Sequence, residues 1–242
     1  MTLQNRTVLV TGANRGIGRA TVEALLEKGV SKIYAGARNT NSLPNFGDNR
    51  VVPLAIDITD PASIEAAAAT AHDIDLLINN AGTAAFADML SAPMDTIRAD
   101  MDVNYYGTLA VTRAFVPALE LKKDAAIINV VTLAAFVAFP SLPGYSASKA
   151  ALWSQSQGLR MSLAPKGIAL HTVNPGPIDT DMAKEIDMEK VTPRHAADEI
   201  LRGFEAGEAD IFPDPTSKQL FGLWKQDYRA LEQAVYDMHF GG

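Results

Sequence analysis

The 242-residue sequence contains no cysteine, and that absence removes several chemistries at once. Disulfides, thiolate nucleophiles and zinc sites built on sulfur are excluded. Positive charge is scarce too: 21 Lys and Arg stand against 28 Asp and Glu, a formal net charge of −7. With no dense basic stripe to override it, that balance argues against a nucleic-acid partner. No run of about 18 apolar residues occurs, so no membrane-spanning helix and no membrane partner are expected. Met1 to Arg6 lead directly into Val8-Leu9-Val10 and do not read as a signal peptide, which makes a cytoplasmic location the expectation. The sequon Asn5-Arg6-Thr7 is then accidental. Internal repeats, low-complexity tracts and linkers are missing. The histidines at 72, 171, 195 and 239 are scattered, with His171 in a strand pattern that suits a core residue. No HExxH motif or carboxylate cluster suggests a metal.

What is present suits a single α/β domain over residues 1–242, since 48% hydrophobic and 20% charged residues supply a sizeable core. Short β-branched runs at 7–10, 32–35, 51–56, 74–79, 125–131, 168–173 and 209–212 predict strands. Helical patterns lie between them, at 16–28, 61–71, 95–121, 143–163 and 193–205. Strands alternating with helices imply right-handed βαβ units and a doubly wound parallel sheet covered on both faces. Asp60-Pro61 is a helix start, a carboxylate cap followed by proline in the first turn. Ala164-Pro165-Lys166-Gly167 is a stop. The polar stretch Asp181 to Thr192 breaks the pattern and reads as a mobile lid or a short helix. Residues 217–238 are amphipathic and read as packing or a subunit contact.

The first strand ends in Thr11-Gly12-Ala13-Asn14-Arg15-Gly16-Ile17-Gly18, with a helical pattern directly after it. Glycines at a strand-to-helix turn let the backbone approach a diphosphate, whose charge meets the positive helix end. A Walker loop is excluded, because Ile17 stands where its second glycine belongs and no Lys-Ser/Thr follows. An NAD site wants a carboxylate at the end of the second strand, for the ribose 2′-hydroxyl. Here that stretch reads Tyr34-Ala35-Gly36-Ala37-Arg38-Asn39. Arg38 and Arg15 suit a 2′-phosphate instead, so NADP(H) is the expected cofactor. Asp57, ending the third strand, is positioned to accept from the adenine amino group.

Tyr145-Ser146-Ala147-Ser148-Lys149 puts a phenol and an ammonium one helical turn apart on one face. A free tyrosine ionises near pH ~10, and bringing it about 2–3 pH units lower takes roughly 3–4 kcal/mol of preference for the phenolate. A neighbouring cation in a partly dry site supplies that preference. The near-match of Gly144 to Ser148 with a hydrolase nucleophile elbow fails, because Ser148 occupies the final glycine position and Pro143 rather than a strand precedes it.

Together the Thr11–Gly18 turn, Asn79-Asn80-Ala81-Gly82, Asn104, the hydroxyl–Tyr–Lys set and Asn174-Pro175-Gly176 with Thr180 resemble the short-chain dehydrogenase/reductase family over residues 6–213. The resemblance implies a seven-stranded parallel sheet in a three-layer Rossmann fold. It implies Tyr145 as acid/base, with Lys149 lowering its pKa and holding the nicotinamide ribose. Asn104 would support a water leading to Lys149. The implied cofactor contacts are Gly12, Asn14, Arg15, Gly16, Ile17 and Gly18 of the turn, then Arg38, Asp57 and Ile58. Asn80, Ala81 and Gly82 follow, with Tyr145 and Lys149 themselves, and Pro175, Gly176, Ile178 and Thr180 close the set. One position departs from the family pattern: Thr132 stands thirteen residues before the tyrosine, where a serine is usual. Threonine keeps the hydroxyl that polarises a carbonyl but adds a methyl group and stiffens χ1. Ser141 is a poorer substitute. Relatives also imply a homodimer or homotetramer, with Trp153 among the contact residues.

The segments expected to wall the substrate pocket are 83–87, 133–142 and 178–186, contributing Phe86, Leu133, Phe136, Val137, Phe139, Leu142, Met182 and Ile186, with little fixed charge beyond Asp179 and Asp181. Such a pocket suits a small apolar aldehyde, ketone or alcohol, interconverted by hydride transfer. The competing reading is a non-catalytic NADP-binding sensor or scaffold, which Thr132 alone favours.

Overall fold

A computed structural model describes residues 1–184, 186 and 188–241 of the chain. Seven parallel strands form one sheet: β1 (Thr7–Thr11), β2 (Lys32–Ala37), β3 (Val51–Ala55), β4 (Leu76–Asn79), β5 (Ala126–Val130), β6 (Ala169–Val173) and β7 (Asp210–Ile211). Their order is β3-β2-β1-β4-β5-β6-β7, so the direction of winding reverses between β1 and β4. A crevice opens at such a reversal, beyond the carboxyl ends of the strands. Both sheet edges are short or interrupted: β7 has only two residues, and β3 carries Pro53.

Alternation along the strands builds two core layers. Val8 and Val10 of β1 join one cluster and Leu9 the other; Ile128 and Ile127 of β5 divide likewise. The first layer is covered by α1 (Gly16–Glu27), through Val22 and Leu25, and by α6 (Pro193–Ala206), through Ile200, Leu201 and Phe204. The second is covered by α2 (Pro61–Thr70), by α4 (Thr108–Leu119), through Val111, Phe115 and Leu119, and by α5 (Pro143–Leu163). The helix starts follow local chemistry. Asp60 accepts from Ala62 N–H at 3.1 Å ahead of α2, and Thr192 accepts from His195 N–H at 3.1 Å ahead of α6. Gly207, at φ 75°, ends α6 in the left-handed region that glycine tolerates.

The helix expected over 95–121 is not continuous. α3 (Met94–Met101) passes through a π-helical turn, Asp102–Gly107, before α4 begins. A π turn inserts an extra residue and moves side chains off the α spacing. Gly107 sits in it against the Ile58 carbonyl, where a Cβ would lie 2.8 Å from the oxygen. The amphipathic C-terminal stretch forms two helices, α7 (Pro215–Gln226) and α8 (Tyr228–Phe240), with Leu231 and Val235 packed on Val137. The stretch read as a lid holds a 3₁₀ turn at Asp181–Ala183 and a parallel bridge from Ile178 to Val191. Its residues Glu185 and Asp187 lie outside the described residues.

Trp153 is half-buried and packs against aromatic side chains of its own chain. Its ring lies 5.1 Å from Phe136 and 6.1 Å from Trp224, in a cluster completed by Phe212 and Phe221. His171 is a core residue, with Nδ1 2.6 Å from the Glu208 carbonyl and the ring edge-on to Phe204.

Phe115 is fully buried where α4 meets the sheet. Phe115→Ala is expected to cost about 3–5 kcal/mol, through lost transfer energy and the cavity left behind. Urea unfolding with an unchanged m-value checks this.

Candidate active site

A cleft of about 1180 Å³ runs across the carboxyl ends of the strands at the point of reversal. One half is built from backbone. Thr11 ends β1, and its hydroxyl accepts from Asn80 N–H and Ala81 N–H, each at 3.0 Å. The Asn80 amide returns two bonds, to Thr11 O at 2.9 Å and Gly12 O at 3.1 Å. The segment after β4 is thereby tied to the glycine turn. Gly18 has to be glycine: a Cβ there would lie 2.2 Å from the Gly12 carbonyl oxygen. Gly12 and Gly16 take φ of 67° and 54°, conformations costly for other residues. Gly16 also faces Thr180, whose methyl group would be 3.2 Å from an added Cβ.

Asn14, Arg15, Ile17, Arg38, Asp57, Ile58, Gly82, Pro175, Gly176 and Ile178 line the same cleft, and Ser42 joins them. Gly18 lies beneath the turn rather than on the cleft wall. Arg38 is exposed just beyond β2. Arg15 is exposed and within 3.5 Å of the Asp181 carboxylate. The Thr59 backbone N–H and hydroxyl hold Asp57 below the ordinary carboxylate range, and the charge of Arg38 adds to that. Asn79 points into the core instead, donating to Thr112 and Asn129.

The other half gathers Thr132, Tyr145, Lys149 and Asn104. Thr132 follows β5, its hydroxyl donating to Pro175 O at 3.2 Å and accepting from Ala134 N–H at 3.3 Å. Tyr145 lies in the first turn of α5 and keeps part of its surface open to the cleft. Its surroundings push the phenol up to about 12: burial is the main cause, the Thr132 hydroxyl opposes it, and the Asp100 carboxylate adds to it. Lys149, 4% exposed, donates to Val130 O at 2.7 Å, with its Nζ 5.8 Å from the Tyr145 ring centroid. Burial pushes it down to about 8, against the pull of Asp100. The expected lowering of the phenol by the lysine is therefore not present in this arrangement, because the ammonium is engaged by a carbonyl and desolvation dominates.

Asn104 is fully buried in the π turn. Its Oδ1 accepts from Thr83 N–H at 3.0 Å, and its Nδ2 donates to Thr83 O at 2.8 Å and Ser148 Oγ at 2.9 Å. The side chain is thus occupied by protein.

Of the expected pocket wall, Phe86, Leu133, Phe139, Leu142, Met182 and Ile186 line the cleft, as do Ser141 and Asp181. Phe136 belongs to the aromatic cluster and Val137 packs beneath α8, so neither reaches the cleft. Met188, Val235, Met238 and His239 line it without having been expected there. The α8 residues were legible as an amphipathic face, but not as one that folds back over the site. Asp214 was also missed. It caps α7 by accepting from Ser217 N–H and holds Gly176 N–H, both at 2.8 Å. The pair Asp214-Pro215 repeats the Asp60-Pro61 signal and marked that helix start in the sequence. Among the described residues, no group of three or more His, Asp or Glu is placed to hold a metal, and no helix is long and apolar enough to cross a membrane.

The pattern of the short chain dehydrogenase family matches residues 6–191. An oxidoreductase of Botryotinia fuckeliana is 36% identical over 182 residues, 72% of this chain and 66% of its own length. An uncharacterized oxidoreductase of Staphylococcus aureus is 30% identical over 212 residues, 82% of this chain and 90% of its own. Among solved structures, a short chain dehydrogenase from Burkholderia cenocepacia in complex with NADP superposes with a TM-score of 0.93 at 41% identity, covering 97% of this chain and 99% of that one. A relative from Burkholderia phymatum in complex with NAD shares the fold at 19% identity, with a TM-score of 0.83 over 97% and 96% of the two chains.

Asp214→Ala removes a helix cap and leaves the part-buried Gly176 N–H without its acceptor. The expected loss is about 2–3 kcal/mol, read by urea unfolding. Asp214→Asn, which keeps an acceptor, is expected to recover most of it.

Proposed function

The chain belongs to the short chain dehydrogenase family, and from that premise we propose that it is an NADP(H)-dependent oxidoreductase interconverting a small apolar aldehyde or ketone and its alcohol. The observation that carries the reading is the convergence of Thr132, Tyr145 and Lys149 at one end of the cleft that begins at the glycine turn. The glycine turn fits a dinucleotide, because an added Cβ at Gly12 would reach 2.9 Å from the Ala81 backbone and so close the cradle. Arg38 and Arg15 are exposed guanidiniums just past β2 and in the turn, and no carboxylate ends β2 to take a ribose hydroxyl. The solved NADP complex at 41% identity supports the same choice. When bound, the nicotinamide supplies or accepts the hydride.

The residues of the chain manage the proton. Tyr145, protonated throughout the neutral range, donates to the substrate oxygen as a carbonyl is reduced. Oxidation of an alcohol needs the phenolate, so that direction gains as pH rises. Thr132 offers its hydroxyl to the same oxygen in exchange for its bond to Pro175 O. Lys149, buried beside the phenol, offers donors to the nicotinamide ribose. Asn104 holds Ser148, whose hydroxyl donates to Tyr145 O at 2.8 Å, and so sets the first turn of α5. Phe86, Leu142, Met182 and Met238 supply the apolar wall that favours an uncharged substrate. Exposed Tyr106 of the π turn, Leu121 just past α4 and Met161 of α5, at 58%, 84% and 72%, offer apolar surface for a homodimer or homotetramer.

Tyr145→Phe is expected to lower turnover of a carbonyl panel by about 10²–10⁴-fold. NADPH binding, followed by fluorescence, is expected to persist; full activity in the variant would refute the assignment. Arg38→Asp is expected to lower kcat/KM for NADPH by about 10–100-fold and leave NADH use intact or improved. An unchanged preference would remove Arg38 from the phosphate site.

A further inference from the structure

Asp100 lies near the end of α3, 1% exposed, and the proton chemistry above gives it no task. Its Oδ2 accepts from Ala85 N–H at 3.3 Å, while Oδ1 is buried without a hydrogen-bond partner. Burying a carboxylate with half of its acceptor capacity unused is unfavourable, and an asparagine would satisfy Ala85 equally well. What asparagine would not supply is the charge.

The charge faces the head of α5. Oδ2 lies close to Gly144: a Cβ there would sit 2.9 Å from it and 3.0 Å from the Ile97 Cα, so glycine precedes Tyr145. α5 begins with no side-chain cap and no acidic residue in its first turn. A carboxylate from α3 therefore meets the positive end of a 21-residue helix. Tyr145 sits in that first turn and Lys149 one turn further on. These two are the titratable groups that face Asp100 from α5. The 83–87 segment brings none, and Asn104 from the π turn is neutral. On α3 itself Arg98 pairs outward with Asp95, and Asp102 beyond it is exposed. Lys149 and Asp100 do not meet as an ion pair, and the ammonium donates to Val130 O.

We propose that Asp100 is a positioning residue for proton transfer: its buried carboxylate at the head of α5 favours the protonated forms of Tyr145 and Lys149, presetting the site to give a proton to substrate. This rests on the acid/base reading of Tyr145. Burial pushes Asp100 up to about 6, with Ala85 N–H and the charge of Lys149 opposing. Above that pH the carboxylate raises both Tyr145 and Lys149. Below it Asp100 is neutral and the influence is lost. Asp100→Asn imposes the neutral condition at every pH.

The test has two arms on the full chain. In the first, lysine side chains are carbon-13 labelled and Lys149 is assigned by its absence from a Lys149→Met variant. Its titration is expected to fall by about one pH unit in Asp100→Asn. In the wild type its resonance is expected to show a second inflection near 6, which keeps the proposal testable if the variant does not fold. Lys149 titrating identically in both proteins, or without that inflection when only the wild type folds, overturns the proposal whether or not any substrate is turned over. In the second arm, the rising limb of alcohol oxidation against pH is expected to move about one unit to lower pH, making the variant about tenfold faster at a fixed pH on that limb. A uniform change of rate at all pH values would show a merely structural role and overturn it. A Lys149 shift without turnover on any carbonyl or alcohol supports the charge coupling and refutes the acid/base reading of Tyr145 instead.

Discussion

The Asn104 side-chain amide uses one acceptor and both donor hydrogens within the protein, and two segments depend on it. Thr83, after β4, is held through both its N–H and its carbonyl, and Ser148 on α5 through its hydroxyl. Backbone that leaves a sheet loses its ladder partners, and a buried amide is one of few groups able to replace an N–H and a C=O together. The π turn is the backbone's accommodation to that demand, since it carries Asn104 off the regular helical spacing. The helix bearing Tyr145 and Lys149 and the loop lining the cleft are consequently registered to each other by one residue. Gly82 completes the arrangement, because a Cβ there would come within 2.9 Å of Asn104 Oδ1.

The same economy governs the dinucleotide end. Where strand order reverses, β1 and β4 are neighbours whose following segments diverge, and Thr11 and Asn80 close the gap with four reciprocal bonds. Every backbone group used there is unavailable to a ligand, so the cleft offers the glycine turn and the start of α1 instead. The two halves differ in kind. The nucleotide half is backbone shaped by missing side chains, while the proton-transfer half is side chains held by other side chains.

That difference explains what the sequence made legible. Glycine positions, β-branched runs and capping pairs such as Asp60-Pro61 are local, and all seven strands lie where their runs predicted, with ends adjusted by one or two residues. The five helices placed between strands are present too, except that 95–121 is broken. Its break was hidden because Thr83, the backbone partner of Asn104 in the π turn, lies 21 residues away in sequence. Asp100 was hidden for the same reason. One acid among three in a mixed helical pattern, with Asp95 and Asp102 beside it, carries no mark of burial until α5 covers it. Val235 and Met238 showed their helical spacing, but which surface that face covers is decided by α7, the turn after it and Val137.

The sheet that carries all of this is open at both sides, and its outermost strands are poor templates. β3 contributes Pro53, which has no N–H to offer, and β7 pairs over two residues only. Free strand edges invite another chain to add itself by backbone pairing, and such growth has no natural end. Blunted edges block that route to runaway polymerisation. Pairing of copies edge to edge is thereby disfavoured on both sides of the sheet.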